Sequence, residues 1–457
     1  MQLRPNLHLK GNGSFSGKIM LFFSRDKAFL TFLCLLLFIP LFFHGWRFGI
    51  PYVKGGDEPH YLIVINSLLN DGDLDLKNNY DSACQGSFQA GKKYASLPLG
   101  RHVVSNLNGR RIISEEIYED SDKWKRDEKG HPVPVLKPGV TSAISSLPEY
   151  SIHPSGIAYL LAPFLWIVKG TPYVEPLALF LANLSVLFSV FLFRRVIGRY
   201  TKNAALINWG TFLVFLGTPV WAYGRTLFTE PFLIFFALGA YLLALEKNSG
   251  LWAGALIGLG MMIKTPFSFL AIPLFGFWLL RGEWGNLLRF ALGPILSAVF
   301  YLFLNFKMYG SSFHTPTPFL FYNPIYGSLG IWLSWNHGIL AFSPMIFPIL
   351  FSWKKFLKEQ RPEAYVWGGG FLSYFLVMAN FIGWSGAWSF GPREILPVIP
   401  FLMIPICYTL KNFSEWGRPK QLAFIVLCVL SLAFNALGAM DGYWNSHPLT
   451  IFKGNIS

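Results

Sequence analysis

The stretch AFLTFLCLLLFIPLFFHGW, residues 28 to 46, followed after a short connector by GGDEPHY, residues 55 to 61, decides how the chain is read. The first piece is an apolar run long enough to cross a hydrocarbon layer as a helix. The second sets two adjacent carboxylates, Asp57 and Glu58, just beyond it. Desolvating carboxylates is costly, so a pair at the mouth of a span points to use rather than packing. Gly55 to Tyr61 therefore reads as an active-site loop.

Composition agrees with a membrane setting. The 457 residues are 53% hydrophobic, 18% aromatic and only 14% charged, and the mean hydropathy is +0.41. Most apolar residues fall in blocks of roughly 16 to 20, the span length of a helix. The expectation is an all-α polytopic membrane protein. Its net charge of +14 comes from Lys and Arg in short connectors such as Arg194/Arg195/Arg199/Lys202, Lys354/Lys355/Lys358/Arg361 and Lys411/Arg418/Lys420. That pattern orients a chain in a bilayer and implies no nucleic-acid partner.

Residues 1–27 are basic and polar, and the block 28–46 runs through Pro40 into His44-Gly-Trp-Arg47 without a small-residue cleavage site. It reads as an uncleaved first span with a cytoplasmic N-terminus. Residues 47–174 then form an outer-face loop domain, with turn-rich pieces at Asn70-Asp71-Gly72-Asp73, Asn106-Leu-Asn-Gly109 and Lys129-Gly-His-Pro132. The block from Gly156 to Val168 is short and contains Pro163. Laid along the interface, it keeps the basic cluster at Arg194 inside. Residues 175–438 are the helix bundle, with spans near 175–193, 204–222, 229–245, 251–263, 266–280, 290–306, 337–352, 364–382, 394–410 and 421–438. With the first span that makes about eleven, and the tail 439–457 falls outside.

On this topology the outer turns lack positive charge except at isolated residues: Arg225 near Glu230, Lys264 before Thr-Pro266, Lys307, and Arg393 beside Glu394. An anionic ligand at the outer leaflet explains such cations, Arg offering a fork of donors and Lys a point charge. Snorkelling to headgroups or pairing with the neighbouring acids is the alternative.

Of the four cysteines only Cys84 lies in a hydrophilic region, so no disulfide framework is available. A divalent metal on Asp57, Glu58 and His60 with Asp71, Asp73 or Asp75 is the alternative to a site without cofactor. Asp71-Gly-Asp-Leu-Asp75 lacks the later bidentate Glu of a calcium loop and suits Asx turns. His102, His131, His314 and His447 show no ligand spacing and read as solvated or structural. No Walker loop, serine elbow or HExxH pattern is present.

Asp57-Glu58-Pro-His-Tyr61 after the first span, Asp71-Gly-Asp-Leu-Asp-Leu76, His153-Pro154 opening the interfacial block, Arg194-Arg195 and Lys264 at a broken helix pair together resemble a bacterial GT-C-fold membrane glycosyltransferase. The likeness is to the protein mannosyltransferase and aminoarabinose transferase group. It implies a GT-C-like bundle, a polyprenyl-phosphate sugar donor, and a catalytic acid in the first outer loop, here Asp57 with Glu58 beside it. His153 stands where the aminoarabinose enzymes often carry a Lys against donor phosphate, which the resemblance adds to the phosphate set. Asn336-His-Gly-Ile-Leu-Ala-Phe-Ser-Pro344 and Gly391-Pro-Arg393 look like later motifs of related members.

The chemistry fits without the family name. Moving a sugar from a lipid phosphate to a hydroxyl needs a base at the acceptor oxygen and cations where negative charge grows. Asp57 suits the first role and Arg225, Lys264 and Arg393 the second; His153 joins the phosphate set only as the resemblance implies, with His60, Tyr61 and Glu230 in support. The expected partners are a lipid-linked sugar, a lipid, glycan or protein acceptor, and the bilayer of a bacterial plasma membrane, with the site facing the periplasm or exterior. A transporter or flippase for an anionic lipid or solute is the rival, although transporters favour repeated halves and midplane charges.

Overall fold

Prolines interrupt several of the apolar blocks of this chain. In the computed structural model, which describes residues 26–43, 46–47, 50–51, 56–84, 101–107, 110–128, 132–246, 249–313, 319–387 and 389–441, three helices are long and apolar enough to cross a membrane. They are Val174–Tyr200, Trp284–Tyr309 and Arg418–Met440. A fourth crossing is a pair, Arg393–Leu402 and Ile406–Glu415, bent by 52°. This is a mostly helical, multi-pass membrane protein.

The expected count of about eleven full-length spans needs correcting. The block 28–46 divides into Asp26–Phe38 and Pro40–Phe43, and 337–352 into Ile339–Phe342 and Ile346–Glu359 around Ser343-Pro344. The blocks at 204–222, 229–245, 251–263 and 266–280 give the shorter helices Ala204–Leu216, Glu230–Ala244, Gly250–Ile263 and Thr265–Leu280. Proline disfavours helical backbone in the residue before it and lacks the amide that would continue the ladder. Pro40, Pro219, Pro266, Pro344 and Pro405 sit at these breaks. Hydropathy counts apolar blocks but does not see that they are interrupted.

The hydrophilic region after the first apolar block is partly β, a second departure from an all-α reading. Val103–Leu107 is the centre of a three-stranded antiparallel sheet, with Val104 opposite both Ile113 and Tyr150. Arg101 anchors it from inside: the buried guanidinium donates to Glu149 at 2.6 Å and to Asp81, and lies 4.6 Å from the Tyr118 ring centroid. Asp71, Asp73 and Asp75 hold turns. Asp73 accepts from the Asp75 amide at 3.2 Å, and Asp75 from the amides of Lys77 and Glu149 at 3.1 and 2.9 Å.

The block at 156 forms the helix Gly156–Leu165 and the 3-10 turn Trp166–Val168. It packs on the Glu58–Asn70 helix and leaves Phe164, Trp166 and Ile167 exposed, an arrangement suited to an interface. Its first residue must be Gly, since a Cβ there would lie 2.0 Å from the Met262 carbonyl oxygen.

Ion pairs collect at the two ends of the bundle. At one end Arg194 meets Asp26 at 3.1 Å, Arg199 meets Glu363 at 2.6 Å, and Arg195 pairs with Glu246. The other end carries Asp57, Lys264 and Arg393. Residues 1–25, Gly55, Asn108-Gly109, Lys129-Gly-His131, His314, Trp388, His447 and the tail from 442 lie outside the described residues.

Candidate active site

Asp57 sits at the cap position before the Glu58–Asn70 helix but makes no side-chain capping bond. Its carboxylate accepts instead from Arg393 at 2.5 Å. The positive end of the helix favours a carboxylate here, and Pro59 starts the first turn without losing a ladder bond. Glu58 is buried and turned away from the cavity, accepting from the Leu227 amide at 2.6 Å. It ties the loop after the first apolar block to the turn before the Glu230–Ala244 helix.

Lys264 occupies the break between Gly250–Ile263 and the 3-10 turn Thr265–Leu270, with extended backbone at φ −149°, ψ 108°. Its ammonium lies 3.0 Å from Glu230 and 2.7 Å from Glu394. Arg393 opens the bent pair after Gly391, whose φ of +63° turns the chain. The guanidinium lies 4.1 Å from the Phe228 ring centroid, and its Nε reaches the same Glu230 oxygen at 3.3 Å. Glu230, read from sequence as a supporting residue, is wholly buried and joins the two cations. Glu394 completes the set; sequence offered it only as a neighbour for Arg393.

In place of the alternative weighed along the chain, Arg225 with Glu230 and Arg393 with Glu394, the ion pairs of the cluster run across helices. Arg225 stands apart from the cluster: it is buried and donates to the Gly438 carbonyl at 2.8 Å. It does not line the cavity described next.

That cavity has a volume of about 720 Å³. Its lining includes the charged or polar residues Asp57, Tyr61, His153, Lys264, Arg393 and Glu394. It also includes the apolar residues Phe269, Phe319, Phe321, Met378 and Phe381. Two carboxylates and two cations line it with Glu230 buried behind, so the cations face the cavity already neutralised.

Three histidines pack beside the charged residues. His60 stacks on His102 with centroids 3.8 Å apart and planes at 11°, and its Nδ1 is 2.6 Å from the Tyr80 hydroxyl. His102 Nδ1 lies 3.2 Å from His153 Nε2, and Tyr61 meets the His153 ring edge-on at 5.4 Å. His102, expected to be solvated or structural, is thus part of the site's surroundings. Nothing in its sequence neighbourhood signals this, because strand pairing brings it there: the Ile152 amide donates to the His102 carbonyl.

Burial alone would raise the Asp57 carboxyl, but Arg393, helped by His153 and His60, holds it well below the usual carboxylate range. Burial lowers His153 to about 4, with Asp57 pulling upward and His102 and Arg393 pushing down. His60 is lowered by burial and by the other two imidazoles, and His102 by burial. At neutral pH the site holds a charged Asp57 beside neutral imidazoles, so His153 offers a hydrogen bond but no positive charge to an anion. Among the described residues no group of three or more His, Cys, Asp or Glu is placed to hold a metal.

No family model and no curated protein matches the chain. Solved structures do. The chain is similar over 93% of its length to 75% of ArnT from Cupriavidus metallidurans in the apo state, with 14% identity and a TM-score of 0.47. The same protein bound to undecaprenyl phosphate gives 14% identity and a TM-score of 0.46 over 94% of this chain and 76% of that one. The oligosaccharyltransferase of Archaeoglobus fulgidus in the apo form gives 10% identity and a TM-score of 0.48 over 94% of this chain. The match spans 57% of that longer chain.

Proposed function

We infer that this chain is a membrane glycosyltransferase that moves a sugar from a polyprenyl-phosphate donor to a hydroxyl of an envelope lipid, glycan or protein. Residues 47–174 form its outer-face loop domain, residues 175–438 its helix bundle, and its site faces the periplasm or exterior. One observation carries the reading: a single cavity is lined both by Asp57, Lys264 and Arg393 and by Phe269, Phe319 and Phe381. A lipid phosphate has the same two characters, and apolar pockets with a few converging polar groups are the usual form of ligand sites.

In this reading the Asp57 carboxylate receives the acceptor proton as its oxygen attacks the anomeric carbon. The bond to phosphate breaks on the opposite side, inverting the carbon. Lys264 and Arg393 meet the negative charge that grows on the leaving phosphate. Their pairing with Glu230 and Glu394 fixes them before the donor arrives, which lowers the reorganisation needed at the moment of reaction.

The test compares glycolipids and glycoproteins of cells with and without the gene by mass spectrometry. A missing hexose, pentose or aminosugar names donor and acceptor together. Unchanged glycans with altered movement of an anionic lipid or solute would replace the enzyme by a flippase or transporter.

A further inference from the structure

The transfer reaction releases one proton, and the residue placed to take it is a poor final store. Asp57 is clamped by Arg393 at 2.5 Å, so a neutral Asp57 would take one of the two carboxylate charges from a largely buried guanidinium and leave it to Glu230 alone. Beside Asp57 on the cavity wall stands His153. Its Nε2 is 3.2 Å from His102 Nδ1, and His102 is only half-buried, immediately before the strand Val103–Leu107.

Resting on the glycosyl-transfer reading, we propose that His153 and His102 are a two-step proton path that carries the acceptor's proton from the Asp57 side of the cavity to the outer-face domain. The receptive form has both rings neutral, with His153 Nε2–H donating to His102 Nδ1. His153 Nδ1 is then bare and His102 Nε2 carries the second hydrogen.

The steps balance. The acceptor O–H breaks as its oxygen bonds to the anomeric carbon, and the electron pair of the broken C–O bond leaves with the phosphate. The proton passes by Asp57 to His153 Nδ1, the Nε2 proton crosses to His102 Nδ1, and the His102 Nε2 proton goes to water. The pair resets by tautomer exchange through water once product has left.

The surroundings suit a carrier rather than a store. The charged groups facing the pair are Asp57 and Arg393 from the cavity side and Glu115 from the outer domain. Tyr61 and His60 pack on the rings, and Tyr80 holds His60 by its Nδ1. Three imidazoles this close disfavour each other's charged forms, so a proton that arrives is passed on.

The test uses the full chain in lipid nanodiscs, with undecaprenyl-phosphate-linked hexoses, pentoses and aminosugars as probes. His102→Gln should keep the donor KM and lose about 10²-fold in kcat, and added imidazole should restore part of it. Transfer by His102→Gln at the normal rate, with no response to imidazole, overturns the path alone. The unsubstituted protein gives a second check by assigned ¹⁵N histidine spectra, where His102 and His153 should each carry one proton, on Nε2, at pH 7. A doubly protonated ring, or His153 protonated at Nδ1, overturns the path without any variant having to fold. No transfer from any probe by the unsubstituted protein overturns the transfer reading, and the path with it.

Discussion

Asp57 and Arg393 lie 336 residues apart in the chain and 2.5 Å apart in space. The contact joins the loop after the first apolar helix to the start of the bent pair near the end of the bundle. A carboxylate and a guanidinium held this close in a partly buried site constrain each other's position and charge. Neither has its proposed role without the other.

Asp57→Asn keeps the shape and removes the proton acceptor. Turnover of the lipid-linked sugar should fall by roughly 10² to 10⁴ while the protein stays monodisperse in detergent. Near-normal transfer by this variant would take Asp57 out of the chemistry.

Glu230 is buried and touches both Lys264 and Arg393. Glu230→Gln leaves two cations short of a carboxylate, which for buried pairs costs about 3–5 kcal/mol. A clear drop in thermal midpoint should follow, larger than for Lys264→Gln, where the lost charge is at the cavity wall. Equal midpoints for Glu230→Gln and the parent would mean that the pairing contributes nothing to the fold.

Gly254 and Gly293 let two helices touch backbone to backbone. A Cβ at Gly254 would lie 2.1 Å from the Phe290 carbonyl oxygen, and one at Gly293 would lie 2.1 Å from that of Gly254. Gly254→Ala should destabilise by about 1–3 kcal/mol, the range for an overfilled contact. Gly276→Ala, with nothing within 4 Å, serves as the neutral control. Similar unfolding midpoints for the two variants would contradict this packing.

His60, His102 and His153 are all lowered from 6.5, His153 to about 4. Between those pH values the unfolded chain binds protons that the folded one does not. Stability is therefore complete above about pH 6.5 and falls as the medium is acidified toward pH 4. Thermal midpoints across that window should decline, and His153→Gln should make the decline shallower. A midpoint that is flat or rises on acidification would rule out neutral, buried imidazoles.

Phe313 is 87% exposed in the connector assigned to the outer face, and Lys358 is exposed in one assigned to the cytoplasm. Cysteine at 313 should react with an impermeant reagent in intact cells, and cysteine at 358 only after permeabilisation. The reverse pattern would invert the orientation.

Much of this arrangement can be read along the chain because charge in an apolar sequence is conspicuous. Asp57, Lys264 and Arg393 stand out as isolated charges at helix breaks, and the structure gathers them. Arg225 has the same signature yet reaches the Gly438 carbonyl, since the pattern records that a cation lies at a helix end but not which way it turns. His102 carries no pattern at all, being brought in by a strand pairing too short to register as alternation. Full-length spans were fewer than the apolar blocks for a related reason: hydropathy averages across prolines such as Pro40 and Pro344 that the backbone cannot.

The break at Lys264 has a consequence for kinetics. Gly250–Ile263 has 14 residues, about 21 Å at 1.5 Å per residue, against a hydrocarbon layer of about 30 Å. Started at the inner boundary of that layer, a helix of this length would leave Lys264 several ångströms short of the other boundary. A molecule reaching it arrives through the leaflet, so for a lipid-borne donor the governing concentration is mole fraction in the bilayer. Diluting the donor with inert phospholipid at constant bulk concentration should slow the enzyme, as surface dilution does for catalysts that meet their substrates in two dimensions.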